Sequence, residues 1–309
     1  MKNLISLSLF FTIFTFSLKA QNIVTDSTAT LVAYWEKGDT RSLIIEKTNI
    51  KYNGDNKPTG SNIKYEASIK VLDATDSSYT LAWKYHPSKD FEKMASVDPY
   101  YQLFTDAEIY YVTDENGSFD SLLNYAQVHE IVKKSINYLS DLAASNNPDV
   151  QMTDMKAKLL EIFSNREMIE QIVLKDIAIV HNYYGILYNK NNPEQYDALL
   201  SNFMGGEPFP ASIFLQYIDK KGDDISVSSK QYLDKEKTLP ILISSFKKLS
   251  KEAEEEFSKS PEIFTKFEMD DKTIITFSQN TGWIKRIQND KAVNFGDTKK
   301  VEQTLITFQ

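Results

Sequence analysis

The chain has 309 residues and no cysteine, and its 43 acidic side chains outnumber its 35 basic ones, for a net charge of −8. Nucleic-acid phosphates and anionic membrane surfaces repel such a chain, so neither is expected as a partner. The length suffices for one large core or two modest ones, and without disulfides the fold depends on core packing alone.

The N-terminus has the composition of a secretory signal peptide. Lys2 supplies a positive start, residues 4–18 form an apolar block, and the small residue Ala20 precedes Gln21. This order predicts cleavage after Ala20. The apolar block is too short for a stable membrane span, and Gln21 stands where bacterial lipoproteins carry their acylated cysteine. We therefore expect a periplasmic or secreted protein. The alternative is an N-terminal anchor that is never cut.

The pattern along the chain predicts one domain after the signal peptide. We expect residues 1–20 to be the signal peptide and residues 21–309 to form a single α+β domain. Its parts are a β-rich region over residues 30–123, a helical insert over 124–203 and a β-α-β remainder over 211–309.

Strand patterns dominate the β-rich region. Residues 63–71 alternate apolar and polar side chains, and so do residues 79–85 after a polar turn, which predicts an antiparallel hairpin. Residues 109–113 and 119–123 predict a second hairpin. Its connection contains Asn116-Gly117, a pair that readily adopts the positive φ angles of a tight turn.

The period becomes helical in the insert. Asn147-Pro148 and Asn192-Pro193 each place a capping side chain before a proline at the first helical position. Ser164 and Glu167 have the spacing of a capping box. These signals and the apolar stripes between them predict an all-helical block.

Strand patterns return after the insert, at residues 211–218 and 224–232. A strongly amphipathic helix is predicted over residues 238–259. Four further strands are predicted at residues 263–269, 273–278, 283–287 and 301–308. This order favours an α+β fold with a curved antiparallel sheet, open or a half barrel, covered by the helical insert and one long amphipathic helix.

Two hairpin segments show a weak internal repeat. Residues 117–124 and 282–289 share a glycine, two apolar positions and an asparagine, and each follows a strand and a polar turn. The repeat indicates either two related half-sheets or the ordinary likeness of glycine-turn hairpins, and both alternatives stay open.

Catalytic and metal-binding signatures are weak. His86, His129 and His181 are scattered, and the zinc-protease spacing after His129 meets Lys133 instead of a second histidine. We expect these histidines at the surface or in packing, with no catalytic residue, metal or cofactor. Residues 114–120 place oxygen ligands around a glycine, as a calcium loop does, but lack its spacing and its bidentate Glu, which favours a plain turn.

Aromatic side chains are abundant, with 17 Tyr, 18 Phe and three Trp. Such rings line pockets for apolar or sugar ligands, although they form core more often. The candidate ligand-binding residues are Tyr79, Trp83, Tyr85, Phe209 and Trp283.

Turn and loop motifs carry a resemblance to a known family. They are the turn at residues 113–117, the Gly-Gly-Glu-Pro-Phe-Pro loop at 205–210 and the Thr-Gly-Trp turn at 281–283. With the leader and the helical insert, they make the chain resemble an uncharacterised family of secreted proteins of Gram-negative bacteria. The resemblance implies no activity. A more distant architectural analogy is the periplasmic lipoprotein-carrier fold, an open curved sheet with helices on its concave face.

Three functional hypotheses follow. The first is a periplasmic or secreted binding or carrier protein for an apolar small molecule or a lipid, without catalysis. Aromatic strand faces combined with amphipathic helices favour it. The second is an envelope interaction protein with no small-molecule site, whose protein partner the sequence does not identify. The third is a hydrolase of envelope glycans or peptides that acts through Asp and Glu.

Overall fold

The computed structural model describes residues 24–54, 56–86, 107–146, 152–170, 174–200, 202, 207–249 and 267–309. The strands are β1 (Thr28–Thr30), β2 (Thr40–Asn53), β3 (Thr59–Ala74), β4 (Ser78–His86), β5 (Glu108–Asp114), β6 (Phe119–Leu122), β7 (Leu187–Asn189), β8 (Glu194–Leu200), β9 (Phe209–Lys221), β10 (Asp224–Leu233), β11 (Glu268–Ser278), β12 (Ile284–Phe295) and β13 (Thr298–Phe308). The helices are α1 (Tyr125–Asn146), α2 (Met152–Ile162), α3 (Arg166–Met168), α4 (Lys175–His181) and α5 (Lys235–Leu249). The predicted signal peptide lies outside the described residues.

Eleven of the strands form one antiparallel sheet, in the order β6-β5-β4-β3-β2-β13-β12-β11-β10-β9-β8. The terminal strands β6 and β8 do not pair with each other within the described ranges, so this sheet is open. Strands β1 and β7 pair in a separate two-stranded ribbon. The prediction of a mainly antiparallel sheet accompanied by helices is confirmed.

Both predicted hairpins are present. Strands β3 and β4 pair antiparallel, and so do β5 and β6. Asp114 Oδ1 accepts the backbone N–H groups of residues 116, 117 and 118 at 2.8–2.9 Å. The oxygen-rich residues 114–120 therefore include a side-chain-stabilised turn, as expected for a plain hairpin connection.

The all-helical prediction for the insert is wrong at its C-terminal end. Residues 187–189 and 194–200 form β7 and β8, so Asn192-Pro193 precedes a strand. Asn189 Oδ1 accepts two backbone N–H groups further along the chain, which holds a turn there. Pairing of β8 with β9 overrides the local helical signal, and a proline is tolerated just before a strand at a sheet edge.

The predicted caps are also revised. Asn165, not Ser164, is the N-cap of α3, and its side chain accepts the Glu167 N–H at 2.8 Å. The helix begins one residue later than the capping box requires, so the Asn165 side chain and not that of Ser164 reaches its first N–H groups. The predicted cap at Asn147-Pro148 lies outside the described residues.

Several C-terminal elements differ from their predicted bounds, and β12 and β13 both extend beyond the predicted 283–287 and 301–308. Strand β11 is continuous, and residues 270–272, which separate two predicted strands, pair with both β10 and β12. Helix α5 begins at Lys235 instead of residue 238, because Asp234 Oδ1 accepts the Lys237 N–H at 3.1 Å and caps the helix. Residues 250–266 lie outside the described part of the chain.

One face of the sheet, the inner face, packs against a plug formed by residues 28–35 and 174–189. The plug is internally bonded by the β1–β7 pairing and by the Gly185 N–H, which donates to the Leu31 carbonyl at 2.8 Å. The first apolar row of the inner face belongs to the same buried cluster as the plug and consists of Tyr65, Ile45, Ile306, Ile287, Ile275, Val227 and Tyr217. Helix α1 adds Val128 and Val132 to this cluster.

Contacts with the plug require the sheet to curve. The Ala33 N–H donates to the Asn116 carbonyl in the β5–β6 turn at 2.7 Å. A Cβ atom on Gly282, in the β11–β12 turn, would lie 2.0 Å from the Val32 carbonyl oxygen. In a flat sheet, the five steps from β5 to β12 would separate these turns by about 24 Å. Because both turns contact one peptide unit, the sheet bends around the plug.

Candidate functional site

Beyond its first apolar row, the inner face becomes polar. Directly paired residues share a face of an antiparallel sheet, so the register identifies the next two rows. On β2, β13, β12, β11 and β10 they form a polar belt, whereas the neighbouring strands β3 and β9 place Ile63, Leu215 and Ile213 in the same rows. The belt consists of Lys47, Asn49, Thr304, Glu302, Asn289, Lys291, Thr273, Asp271, Ser229 and Gln231. Most of these residues are half-buried. Half-buried polar groups on the concave side of a sheet are expected to face water or a polar ligand.

The plug contributes a carboxylate, Asp176, at one end of the belt. Lys47 Nζ lies 2.6 Å from Asp176 Oδ1, and Oδ2 accepts the hydroxyls of Tyr65 at 2.5 Å and Tyr85 at 3.2 Å. Burial alone would raise the pKa of Asp176, but Lys47 and the two phenols outweigh it and hold that pKa below its ordinary value. The network therefore contains a stable buried anion with its counter-ion.

A second polar chain crosses the middle of the belt. The Tyr183 hydroxyl, from the plug, donates to Thr273 Oγ1 at 2.9 Å. Asn289 Nδ2 also donates to Thr273 Oγ1, at 2.9 Å, and to Asp271 Oδ1, at 2.6 Å. Lys291 Nζ lies 3.9 Å from Asp271 Oδ2. Burial raises the pKa of Tyr183, so this phenol acts as a neutral hydrogen-bond donor.

A third polar group surrounds Glu302. Lys300 Nζ lies 2.5 Å from Oε1, and Lys175 Nζ, at the start of α4, lies 3.6 Å from Oε2. Burial would raise the pKa of Glu302, but the neighbouring lysines 300, 175 and 291 outweigh it and lower that pKa. The carboxylate is therefore ionised at neutral pH.

A separate apolar zone lies on the far side of the belt. Its buried members are Phe209, Leu242 and Phe267, and its partly buried members are Leu200, Leu233, Leu239, Ile241, Ile243 and Val293. Helix α5 supplies four of these residues and β9 supplies Phe209, so α5 packs over this end of the sheet. We call this set the far apolar zone. The inner face thus carries a plugged apolar end, a polar belt and a second apolar end.

The five candidate aromatic residues fall into three places. Tyr79 and Trp283 both contact Trp35 of the plug, with ring centroids 5.1 and 4.6 Å apart. Trp83 is fully buried and meets Tyr85 edge-on at 5.7 Å, and the Tyr85 hydroxyl joins the Asp176 network. Phe209 belongs to the far apolar zone. Tyr85 and Phe209 therefore adjoin the belt from opposite sides. That the five aromatic residues bind a ligand stays a prediction.

His181 lies at the centre of the aromatic packing. It is fully buried, with Nε2 2.8 Å from the Tyr111 hydroxyl and Nδ1 2.8 Å from the Gly117 carbonyl oxygen. Because a carbonyl only accepts, Nδ1 carries the proton and Nε2 accepts from the phenol. Burial lowers the pKa of His181 to about 4. Of the two roles expected for this histidine, at the surface or in packing, its burial corresponds to packing.

We expect the stability of the protein to fall between pH 7 and pH 4 because of His181. The unfolded chain takes up a proton near the ordinary pKa of 6.5, whereas the folded protein resists protonation until about pH 4. The difference corresponds to a loss of about 3 kcal/mol in the free energy of unfolding. Urea unfolding at several pH values measures it. His181→Gln should remove this component of the slope, and an unchanged slope in that variant would contradict the assignment.

Sequence reasoning missed the charged residues of the belt. Lys47, Asp176 and Glu302 occur singly among many charged residues, without a motif. The strand register places Lys47 opposite Thr304 and Glu302 opposite Lys291 on one face, and the packing of α4 against that face brings Asp176 to Lys47. The sequence signal that could have identified such residues is a polar side chain that interrupts the alternation of apolar and polar residues within a long strand, as at Asp271.

The described residues contain neither a helix suited to crossing a membrane nor a group of three or more potential metal-binding side chains.

Comparisons with known proteins give no family for the chain. No protein-family model and no curated protein matches it, which agrees with its resemblance to a family of no assigned activity. A lipovitellin structure concerned with lipid–protein interactions aligns with 89% of the chain at a TM-score of 0.41 and 10% identity. The chain spans 25% of the length of that lipovitellin chain.

A second solved structure is Ail, the attachment invasion locus protein of Yersinia pestis. It aligns with 88% of this chain and 98% of its own length, at a TM-score of 0.17 and 5% identity. At these TM-scores, neither likeness defines a fold family. The class of protein is therefore set by the fold itself, a mainly antiparallel open sheet with few helices.

Proposed function

We propose that this protein binds and carries a single-chain amphiphile, such as a lysolipid, in the periplasm or outside the cell. The observation that supports this best is the polar belt between two apolar regions of the inner face. Buried charges and polar groups cost free energy of desolvation even when they are paired, so a face built only for packing would favour apolar side chains. A ligand with a polar head and an apolar tail matches the belt and the far apolar zone.

The partial burial of the far apolar zone supports a place for the tail. Val293 and Leu233 point from the inner face, and Leu239 and Ile243 come from α5, and none of the four is fully buried. An acyl chain laid across them would remove further apolar surface from water, at about 25 cal/mol per Å². A purely apolar ligand fits less well, because it offers no polar group to the half-exposed lysines beside Glu302.

The signal-peptide pattern of residues 1–20 supports the proposed location. A positive start, a short apolar block and a small residue before the cut are the features of an exported chain. Export would place the protein beside the membrane lipids of the envelope, where single-chain amphiphiles occur. The absence of cysteine is compatible with that compartment, since the core alone holds the fold.

Val293→Thr tests the tail site with a neutral probe. We expect this change to weaken the binding of monolaurin about fivefold, because it replaces a methyl group by a hydroxyl of similar shape on the apolar surface. Tryptophan fluorescence or calorimetric titration with the mature protein measures the change. Monolaurin carries no charge, so the result does not depend on the lysines of the belt.

Val301→Thr is the matched control. Val301 pairs with Ala292 on the neighbouring strand, on the opposite face from Val293, and is also partly exposed. Equal loss of binding in both variants, or no saturable monolaurin binding by the wild-type protein, would refute the amphiphile proposal. Melting temperatures of the two variants exclude loss of folding as the cause.

A further inference from the structure

Three lysines from three elements surround one carboxylate on the polar belt. Lys175 of α4 and Lys300 of β13 lie against opposite oxygens of Glu302, at 3.6 and 2.5 Å. Lys291 of β12 is the direct cross-strand partner of Glu302 and also lies 3.9 Å from Asp271. Among the described residues, three lysines therefore face two carboxylates, Glu302 and Asp271, which leaves a local excess of one positive charge.

The excess charge is accessible. Lys47 is largely buried against Asp176 and forms a closed pair, whereas the side chains of Lys175 and Lys300 are 57% and 53% exposed. Exposed ammonium groups can bind an anion, because solvent reaches them and each carries three N–H donors. The protein as a whole carries a net charge of −8, so this local excess opposes the overall sign.

One of these lysines, Lys300, adjoins the far apolar zone. Lys300 is the direct cross-strand partner of Val293, and such partners have Cβ atoms about 5 Å apart. An anionic group held at Lys300 therefore lies within one residue of the apolar surface proposed for the tail. This adjacency distinguishes Lys300 from the many lysines of the outer face.

We propose that the edge of the polar belt at Glu302 holds an anionic headgroup, a phosphate or carboxylate, between Lys175 and Lys300. This inference rests on the proposed function, since the same ligand would place its tail on the far apolar zone. In the ligand-free protein, Glu302 holds the two lysines on either side of its carboxylate. When the anion binds, the lysines turn part of their electrostatic interaction from Glu302 to the ligand. The site thus selects anionic over neutral or zwitterionic amphiphiles.

The first experiment compares four probes on the mature wild-type protein. They are lauroyl lysophosphatidic acid, lauroyl lysophosphatidylcholine, monolaurin and glycerol 3-phosphate, each titrated below micelle-forming concentrations. We expect the lysophosphatidic acid to bind about tenfold more tightly than the other two lipids, because two lysines contact its phosphate. The advantage should shrink as salt rises, since partly exposed charges are screened.

Variants that remove either a positive or a negative charge should change the affinity in opposite directions. Lys175→Gln and Lys300→Gln should each weaken lysophosphatidic acid binding about fivefold and weaken monolaurin binding much less. Glu302→Gln should strengthen lysophosphatidic acid binding, because it removes the competing negative charge. Lys299→Gln is the control, since Lys299 neighbours Lys300 on the opposite face of β13 and should have no effect.

The outcomes separate the two proposals. Equal binding of all three lipids, a loss in Lys299→Gln equal to that in Lys300→Gln, or weaker binding in Glu302→Gln would overturn the anionic headgroup while the amphiphile proposal stands. Glycerol 3-phosphate binding as tight as that of lysophosphatidic acid would keep the anion site and refute the tail. No binding of any lipid would refute both.

Discussion

Gly282→Ala is expected to destabilise the protein by about 4 kcal/mol or more. Gly282 has a φ of +67°, and an added Cβ atom would lie 2.0 Å from the Val32 carbonyl oxygen and 3.0 Å from the Val32 carbonyl carbon. Both contacts are with backbone, which yields less readily than the end of a side chain. The β11–β12 turn or the plug would have to move, and Trp35 would lose part of its stacking on Trp283.

Gly222→Ala provides the matched control for this prediction. Gly222 has a similar φ of +63° in the β9–β10 turn, but no atom lies within 4 Å of its added Cβ. Only backbone strain applies there, and we expect a loss of about 1 kcal/mol. Urea unfolding of both variants gives the comparison. Equal losses would contradict the close approach of the plug to the sheet.

The repeated glycine turns have a shared structural role. A Cβ atom on Gly117, in the β5–β6 turn, would lie 2.9 Å from Ala33 Cβ and 2.8 Å from a ring carbon of Tyr184. Gly117 and Gly282 thus contact the same stretch of the plug from two sides of the curved sheet. The contact explains why both turns need glycine, and it is compatible with either origin of the internal repeat.

Lys47→Met should destabilise the protein by about 3 kcal/mol at pH 7. The Asp176 side chain is 7% exposed, and without Lys47 it retains only the phenol hydroxyls of Tyr65 and Tyr85 at Oδ2. A buried carboxylate that loses its counter-ion costs more than a surface one, because water cannot replace the lysine. Chemical unfolding of the variant and the wild type measures the difference.

The pH dependence of this difference has a definite sign. In the wild type the pKa of Asp176 is lowered, so its contribution is present at neutral pH and is lost only as the pH falls below its ordinary pKa. In Lys47→Met, burial becomes the dominant influence and should raise that pKa. The variant should therefore recover stability relative to the wild type as the pH falls from 7 towards 4. The His181 contribution cancels, because both proteins contain it.

Lys64→Met is the control for Lys47→Met. Lys64 Nζ lies 2.9 Å from Glu46 Oε1, and these side chains are 52% and 39% exposed. Such a surface pair contributes at most about 1 kcal/mol. A loss in Lys47→Met no larger than in Lys64→Met, or a difference that grows at acid pH, would contradict the account of Asp176 as a buried anion.

Sequence periodicity predicted the apolar strands well and the belt strands poorly. In β3, apolar side chains at Tyr65, Ala67 and Ile69 alternate with polar ones, because one face packs against the plug. In β11 the inner-facing Asp271 interrupts this alternation, so one strand was predicted as two. A polar inner face removes the period-two signal on which strand prediction depends.

The candidate site was predictable only in part. Aromatic side chains such as Tyr85 and Phe209 were identified by type, and they adjoin the belt. Glu302 and Lys175 are separated by more than a hundred residues, and only the packing of the plug against the sheet brings them together. No local pattern encodes that contact, because long-range pairing of charges leaves no periodic trace in one sequence.

The central claim is that the inner face holds an amphiphile, and native mass spectrometry of the protein isolated from its own cells tests it most directly. We expect a fraction of the molecules to carry one bound lipid-sized ligand, released by denaturation and identified as a single-chain anionic amphiphile. A uniformly ligand-free mass, in a preparation that also fails to bind added monolaurin or lysophosphatidic acid, would contradict the account.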